Sequence, residues 1–365
     1  MKIVKLIIKL FIGVFCIVGL FIAVLTIFEY RPDDIEDVDI LNNKTQTVSL
    51  NESLTFMTFN IGYAGLGKDE DFVMDGGKSG RPDSKETVLE YLEGIQSILS
   101  EYQADFYLLQ EVDQKARRSY SIQQVESIAG HLGDDYSTQF AYNFNVMFVP
   151  FPVSFSEHIG YVKSGLATYV NFAVESSERL QFPGAFSWPL RVANLKRAMM
   201  VSYLDITDSD KQLVIVNLHM SAYDGDGSLR AQEMDFLKAF MEAEYEKGNY
   251  VIVGGDFNQT FPEAVGVYEV IQDYYVAYPI EDNFLPNGFS FQVDVTTPSC
   301  RLLNQPYDPN HENTQYYIID GFIVSDNITV EKYFESQDTN QAVTLDLGFE
   351  HSDHNPVVMK IRLLP

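Results

Sequence analysis

Tyr250-Val251-Ile252-Val253-Gly254-Gly255-Asp256-Phe257-Asn258 is the stretch on which the reading of this chain turns. Its apolar run has the character of a short strand, closed by two glycines and then by an acid and an amide. The glycines let the backbone turn sharply where a strand leaves its sheet. Asp256 and Asn258 are two residues apart, so in extended chain both side chains face one way. A carboxylate and an amide aimed together can hold a water and a phosphate oxygen. An acid-rich turn that merely caps a strand is the plainer reading of these residues taken alone.

The same construction recurs along the chain. Phe59-Asn60-Ile61, Leu109-Gln110-Glu111, Asn217-Leu218-His219 and Ile319-Asp320 each place polar groups at the end of an apolar run, and Ser352-Asp353-His354 lies just before the last one. A carboxylate such as Glu111, at the end of a strand that should be buried, is costly unless it is paired or holds a cation. For His354 to act as a base it needs an orienting carboxylate, and Asp320 is the candidate. Donors rich in oxygen and free of cysteine favour Mg²⁺, or else Mn²⁺ or Ca²⁺, over structural zinc.

Between these motifs the pattern alternates. Residues 54–60 read as a strand, 62–82 as a long glycine-rich loop, and Asp83 with Glu86 as the capping box of a helix. That helix carries one apolar stripe, Val88, Leu92, Ile95, Leu99 and Tyr102, and the strand 106–110 follows it. A second strand-helix-strand unit is expected from the strand 213–218, paired with 197–204, through a helix over 228–246 to the strand 250–254. Strands at 318–324 and 356–361 complete the set. Two mixed sheets packed face to face with helices outside, an α+β architecture, fit this order.

The N-terminus is a separate object. Lys2, Lys5 and Lys9 precede an unbroken apolar run, 10–28, and acidic residues follow it. The run nearly spans a hydrocarbon core of about 30 Å. The positive-inside rule leaves the short basic end in the cytoplasm and sends the remainder out. A cleaved signal peptide is the alternative, but Phe28-Glu29-Tyr30 is not a small-residue cleavage site. The expected organisation is a signal anchor over 1–28, an acidic linker over 29–53 and one catalytic domain over 54–365, held outside the cell on a single membrane pass.

The chain of 365 residues has a formal net charge of −27. So acidic a surface repels polyanions at long range and argues against passive coating of nucleic acid. Of its two cysteines, Cys16 lies in the apolar run, which leaves Cys300 without an intrachain partner outside the membrane. The outer domain is therefore not a disulfide framework.

Taken in order, the motifs resemble the endonuclease/exonuclease/phosphatase superfamily, of deoxyribonuclease-type fold, over Leu54 to Leu363. The resemblance implies a four-layered α/β/β/α sandwich of two β-sheets flanked by helices. It also implies that Glu111 is the principal metal ligand, supported by Asn60 and Asp353. Asp256 then positions or activates the attacking water, Asn258 orients phosphate, and His354 is the catalytic histidine polarised by Asp320. His219 is the second histidine, contacting phosphate or assisting the leaving group. The implied chemistry is metal-dependent hydrolysis of a phosphoester.

Lys68, Lys78 and Arg81 in the long loop, and Arg117 and Arg118 after Glu111, are conspicuous cations in an acidic chain. They are expected to receive substrate phosphate, against ordinary solvated charge. Phe151, Phe155, Phe182, Phe186 and Trp188 suit a membrane-proximal apolar surface, or simply a core. The leading function is a phosphodiesterase acting on a phospholipid head group or on nucleic acid. An inositol-phosphate-type phosphomonoesterase and a non-catalytic binding module on the same fold are the alternatives. The expected partners are the phosphoester substrate and the membrane, with no obligate protein partner evident.

Overall fold

The computed structural model describes residues 2–154, 156–225, 227–311 and 314–365. Phe155, one of the aromatic residues singled out above, lies outside the described residues. The first helix, α1 (Lys2–Ile27), has 26 residues and is long and apolar enough to cross a membrane. The three others are α2 (Lys85–Glu101), α3 (Gln124–Leu132) and α4 (Ser228–Glu246).

Two sheets face each other. One runs, in spatial order, through the strands Ile35–Asp37, Ser176–Gln181, Ala198–Asp205, Gln212–His219, Tyr250–Asp256, Asp320–Ser325 and Phe289–Gln292. The other runs through Ile328–Glu331, Val357–Leu363, Ser53–Asn60, Phe106–Ala116, Gly160–Val170 and Ser137–Val149, with Val343–Thr344 also paired to Val357–Leu363. Each sheet holds a parallel pair joined by a crossover helix. In one, Gln212–His219 and Tyr250–Asp256 are joined through α4; in the other, Ser53–Asn60 and Phe106–Ala116 are joined through α2. The remaining strand pairs are antiparallel, so both sheets are mixed.

Strand alternation explains the four layers. Leu54, Phe56, Phe106 and Leu108 point between the sheets and meet Leu213, Ile215, Ile252 and Phe322. The intervening Met57, Phe59, Tyr107 and Leu109 point outward onto Val88, Leu92, Ile95 and Leu99 of α2. On the other sheet, Val214, Val216, Val251 and Val253 pack on Leu237 and Met241 of α4. A period of two with both faces covered produces continuous apolar runs, which is why these strands are legible as buried.

Three expectations need correction. The stretch 29–53 is not a free linker. Ile35–Asp37 pairs with Ser176–Gln181, Val48 bridges Ile206, and Val48 is fully buried in the inter-sheet core. Low periodicity hid this because the segment touches the domain through single residues. The loop 62–82 is pinned rather than loose: Tyr63, Ala64 and Leu66 are buried, and Arg301 donates to the Gly67 carbonyl at 2.9 Å. The α2 cap is Ser84, whose hydroxyl accepts from the Thr87 amide at 3.1 Å, one residue beyond the expected Asp83.

Candidate active site

Register assembles the site. In the first sheet His219 stands opposite Asp256, and Asp256 opposite Asp320, so three adjacent strands end level at one rim. In the second, Asn60 stands opposite Gln110, and Val357, just after Ser352-Asp353-His354, opposite Thr58. The two rims are tied by buried amides. Gln110 Nε2 donates to Asn217 Oδ1 at 2.8 Å, and Asn217 Nδ2 to the Ala167 carbonyl at 3.1 Å. Asn217 therefore acts as an inter-sheet strut beneath His219.

Gly254 and Gly255 serve close approach rather than a turn, because both lie inside the strand. A Cβ on Gly255 would meet the Leu218 carbonyl oxygen at 2.1 Å, and its φ is +154°. A Cβ on Gly62 would meet Asp353 Oδ1 at 2.8 Å. Glu111 sits where the pairing with Gly160–Val170 slips register, and its φ is +54°. Such a bulge re-aims one side chain against the alternation of the strand, which brings the carboxylate into the cavity.

His354 Nδ1 lies 2.8 Å from Asp320 Oδ2, and Ser299 Oγ donates to the same oxygen at 2.7 Å. The other ring nitrogen, Nε2, is 3.8 Å from Asp256 Oδ2 and 4.0 Å from Asp353 Oδ2. His219 Nε2 is 3.3 Å from Asp256 Oδ2, and Asn60 Nδ2 donates to that oxygen at 3.0 Å. Asn258 amide N–H donates to Asp256 Oδ1 at 2.9 Å. The Asn258 side chain is itself held, donating to the Met220 carbonyl at 2.9 Å and accepting from Tyr275 Oη at 2.9 Å.

Burial and charge set these groups apart. Burial pushes the Asp256 carboxyl up to about 7; Asp320 adds to the rise, while His354 and the Asn60 hydrogen bond oppose it. Asp353 is likewise pushed up to about 7 by burial, with His354 opposing and Glu111 reinforcing. Burial works to discharge His354, but Asp320, Cys300 and Asp353 outweigh it and hold the imidazole well above its ordinary range. His219 is driven well below that range by burial, Arg197 and His354. Two histidines shifted in opposite directions therefore flank one carboxyl group, the kind of separation that marks acid and base roles. Cys300 is not a thiolate: burial pushes it up to about 12.

Glu111, Asn60 and Asp353 line one cavity with Asp256, Asn258, His219 and His354. Burial is the main cause of the rise of Asp353, and the neighbouring Glu111 carboxylate adds to it. Oxygen donors of this kind fit a hard divalent ion. Asp256, Asp320 and His354 also offer atoms within 4.8 Å of one another, and so do Cys300, Asp353 and His354.

The two expected arginines part company. Arg118 is buried at the cavity wall. Its Nη2 donates to Asp113 Oδ1 at 2.9 Å, its Nη1 is 3.7 Å from Glu111 Oε2, and its guanidinium lies 3.7 Å from the centre of the Tyr63 ring. Arg117 points elsewhere, donating to the Ser156 carbonyl at 2.9 Å and to that of His158. Of the loop cations, Lys68 pairs with Glu350 and Arg81 lies 4.7 Å from the centre of the Tyr120 ring. Two cavity residues were missed. Arg197, read only as the start of a strand, reaches the His219 carbonyl at 3.4 Å, and Tyr275 fixes Asn258. Neither belongs to a spaced motif.

This arrangement defines a four-layered sandwich with a buried carboxylate–imidazole centre. The sequence model of the Endonuclease/Exonuclease/phosphatase family matches residues 57–302, so the chain belongs to that family. It is an enzyme, a metal-dependent hydrolase of phosphoesters. Among solved structures it is similar to an endonuclease/exonuclease/phosphatase from Beutenbergia cavernae, with TM-score 0.58 and 16% identity over 86% of this chain and 72% of that one. Truncated TDP2 of Caenorhabditis elegans gives TM-score 0.50 and 12% identity over 85% and 98%. The catalytic domain of human Nocturnin with bound sulfate gives 0.50 and 16% over 89% and 97%. At these identities the likeness is one of fold. No curated protein matches the chain.

Proposed function

We propose that this protein is a membrane-anchored phosphodiesterase that cleaves a phospholipid head group on the outer side of the membrane. The observation that carries the hydrolytic half is the Asp320–His354–Asp256 cluster, with Asp320 Oδ2 2.8 Å from one ring nitrogen and Asp256 Oδ2 3.8 Å from the other. The lipid half is supported by α1 and by the acidity of the chain, which disfavours long polyanions.

In this reading Glu111, Asp353 and Asn60 hold Mg²⁺, or Mn²⁺ or Ca²⁺ in its place. When bound, the cation supplies Lewis-acid stabilisation of charge on the phosphoryl oxygens. Asp256 orients the attacking water and takes its proton; a carboxyl group near 7 is matched to proton transfer at neutral pH. The water oxygen bonds to phosphorus as the bond to the leaving oxygen breaks. His354, protonated and held by Asp320, gives its Nε2 proton to that oxygen. His219 stays neutral, steadies Asp256 and faces the phosphate, and Arg118 and Arg197 supply fixed positive charge at the wall.

The test is hydrolysis by the purified full chain with Mg²⁺, using bis-p-nitrophenyl phosphate, sphingomyelin, phosphatidylinositol and plasmid DNA. Turnover of the small diester and of a lipid, lost on chelation and restored by Mg²⁺, is the expected result. Cleavage of plasmid DNA in preference to both lipids would reverse the substrate assignment.

A further inference from the structure

The catalytic cavity has a volume of about 720 Å³, room for more than a phosphate group. It does not stop at the carboxylates. It continues between residues 184–195 and the end of the strand Ser137–Val149 until it reaches α1, whose Phe21, Ile22 and Leu25 form part of its wall. At this end Phe144, Phe186 and Leu190 replace the acids and amides.

The end of α1 is seated, not dangling. Trp188 Nε1 donates to Thr26 Oγ1 at 3.1 Å, the rings of Phe21 and Phe148 are 6.0 Å apart, and Leu25 is buried. From residue 2 to residue 21 the same helix is bare on every side, with Phe11 and Phe15 exposed. With Lys9 at the inner surface, the apolar run reaches the outer surface near Phe28. At 1.5 Å per residue, Phe21, Ile22 and Leu25 then lie roughly 5 to 10 Å inside the outer leaflet.

Two further features stand at the same level. Trp188, Leu190 and Phe151 are exposed beside the helix. Aromatic and aliphatic side chains of this kind settle at a membrane interface. Arg31, Arg191 and Lys196 converge on Glu29 at 3.2, 3.3 and 2.9 Å, three cations on one carboxylate in an otherwise acidic chain. Arg191 and Lys196 thereby tie the residue just after α1 to the segment beside the passage.

Resting on the phosphodiesterase reading, we propose that the anchor helix is itself part of the substrate site. An acyl chain of a bilayer lipid lies along Phe21, Ile22 and Leu25 while its phosphodiester reaches Asp256 and His354. The lipid is taken sideways from the outer leaflet and does not have to leave the bilayer to be cut.

The test uses the full chain in vesicles of phosphatidylcholine and phosphatidylglycerol, doped with a phosphatidylcholine that carries a photoreactive diazirine on one acyl chain. Irradiation is expected to label the segment 184–195 as well as the bare part of α1, residues 2–21. Leu25→Trp, which fills the passage, should lower labelling of 184–195 about tenfold relative to labelling of Phe11 and Phe15. Labelling confined to the bare part of α1, residues 2–21, in the unaltered chain, overturns the inference. Hydrolysis of bis-p-nitrophenyl phosphate, followed in the same vesicles, separates the two readings. Turnover without labelling of 184–195 sinks the lipid passage and leaves the hydrolase. Labelling without turnover keeps the passage and sinks the hydrolase.

Discussion

The two ends of the cavity are built by opposite rules. At the polar end nearly every functional atom is held by a partner: Asp320 by Ser299 and His354, Asn258 by Tyr275 and Met220, Asp256 by Asn60 and the Asn258 amide. Strand register places these groups, and buried hydrogen bonds leave them little freedom. At the apolar end, one ring contact, with Phe148, and one indole hydrogen bond, from Trp188, seat α1, and large side chains stay exposed. The polar end is organised for geometry and the apolar end for partition. Positioned charge accelerates chemistry only when rigid, whereas hydrocarbon binding is non-directional and tolerates looseness.

Breaking the polar end should have the largest effect. His354→Ala and Asp256→Asn are each expected to lower kcat about 10²- to 10⁴-fold on soluble and membrane substrates alike. Circular dichroism should show the fold intact, and near-normal turnover by both variants would reject this centre. Glu111→Gln should come next, raising the Mg²⁺ concentration for half-activation. The rise should at least match the roughly 10- to 100-fold lost when an outer-shell partner of a metal ligand is removed. An unchanged Mg²⁺ titration would remove Glu111 from the ligand set.

A pH experiment tests whether the buried carboxylates await a cation. Asp256 and Asp353 are raised to about 7 by burial, against about 3.9 for an unfolded aspartate. The folded chain therefore holds these protons more tightly than the unfolded chain. The stability they contribute is complete below pH ~4 and is lost as pH rises through about 7. A cation that displaces the protons should stabilise the fold more as pH climbs across that window, by up to about 1.4 kcal/mol per pH unit for each proton displaced. Melting with and without Mg²⁺ at pH 5 and pH 7.5 reads this directly; a larger shift at pH 5 would contradict it.

The smallest effect is expected at the apolar end. Trp188→Ala should lower the ratio of turnover on vesicles to turnover on bis-p-nitrophenyl phosphate by about two- to tenfold, the scale of one interfacial aromatic side chain. A ratio that does not move would leave the contact with Thr26 without a role in lipid capture.

The legible part of this protein is the part written in short periodic runs. Continuous apolar segments of strand length reaching Asn60, His219 and Asp256 announce both sheets and the rim where they end, because buried strands cannot hide their period; Asp320 instead opens its strand, and Glu111 lies inside one. The helix α2 announces itself by its capping residue and an apolar stripe, α4 by its apolar positions alone. Less was visible where one residue does the work. Val48 enters the inter-sheet core from a polar segment, and Gly255 is needed for the Leu218 carbonyl it lets approach. Arg117 and Arg118 read alike as neighbours, yet one reaches loop carbonyls while the other stands over Tyr63 beside Glu111.

Residue order alone thus pointed to the paired sheets, to an apolar helix long enough to span a membrane and to the polar residues at the sheet rim, because periodicity and the cost of buried charge are local properties. It took the packed chain to turn Glu111 inward at a bulge, to shift the two histidines in opposite directions, and to lay the end of α1 along the cavity. Those outcomes depend on which atoms lie across a few ångströms of space from segments far apart in the chain, and no spacing along a single strand encodes that.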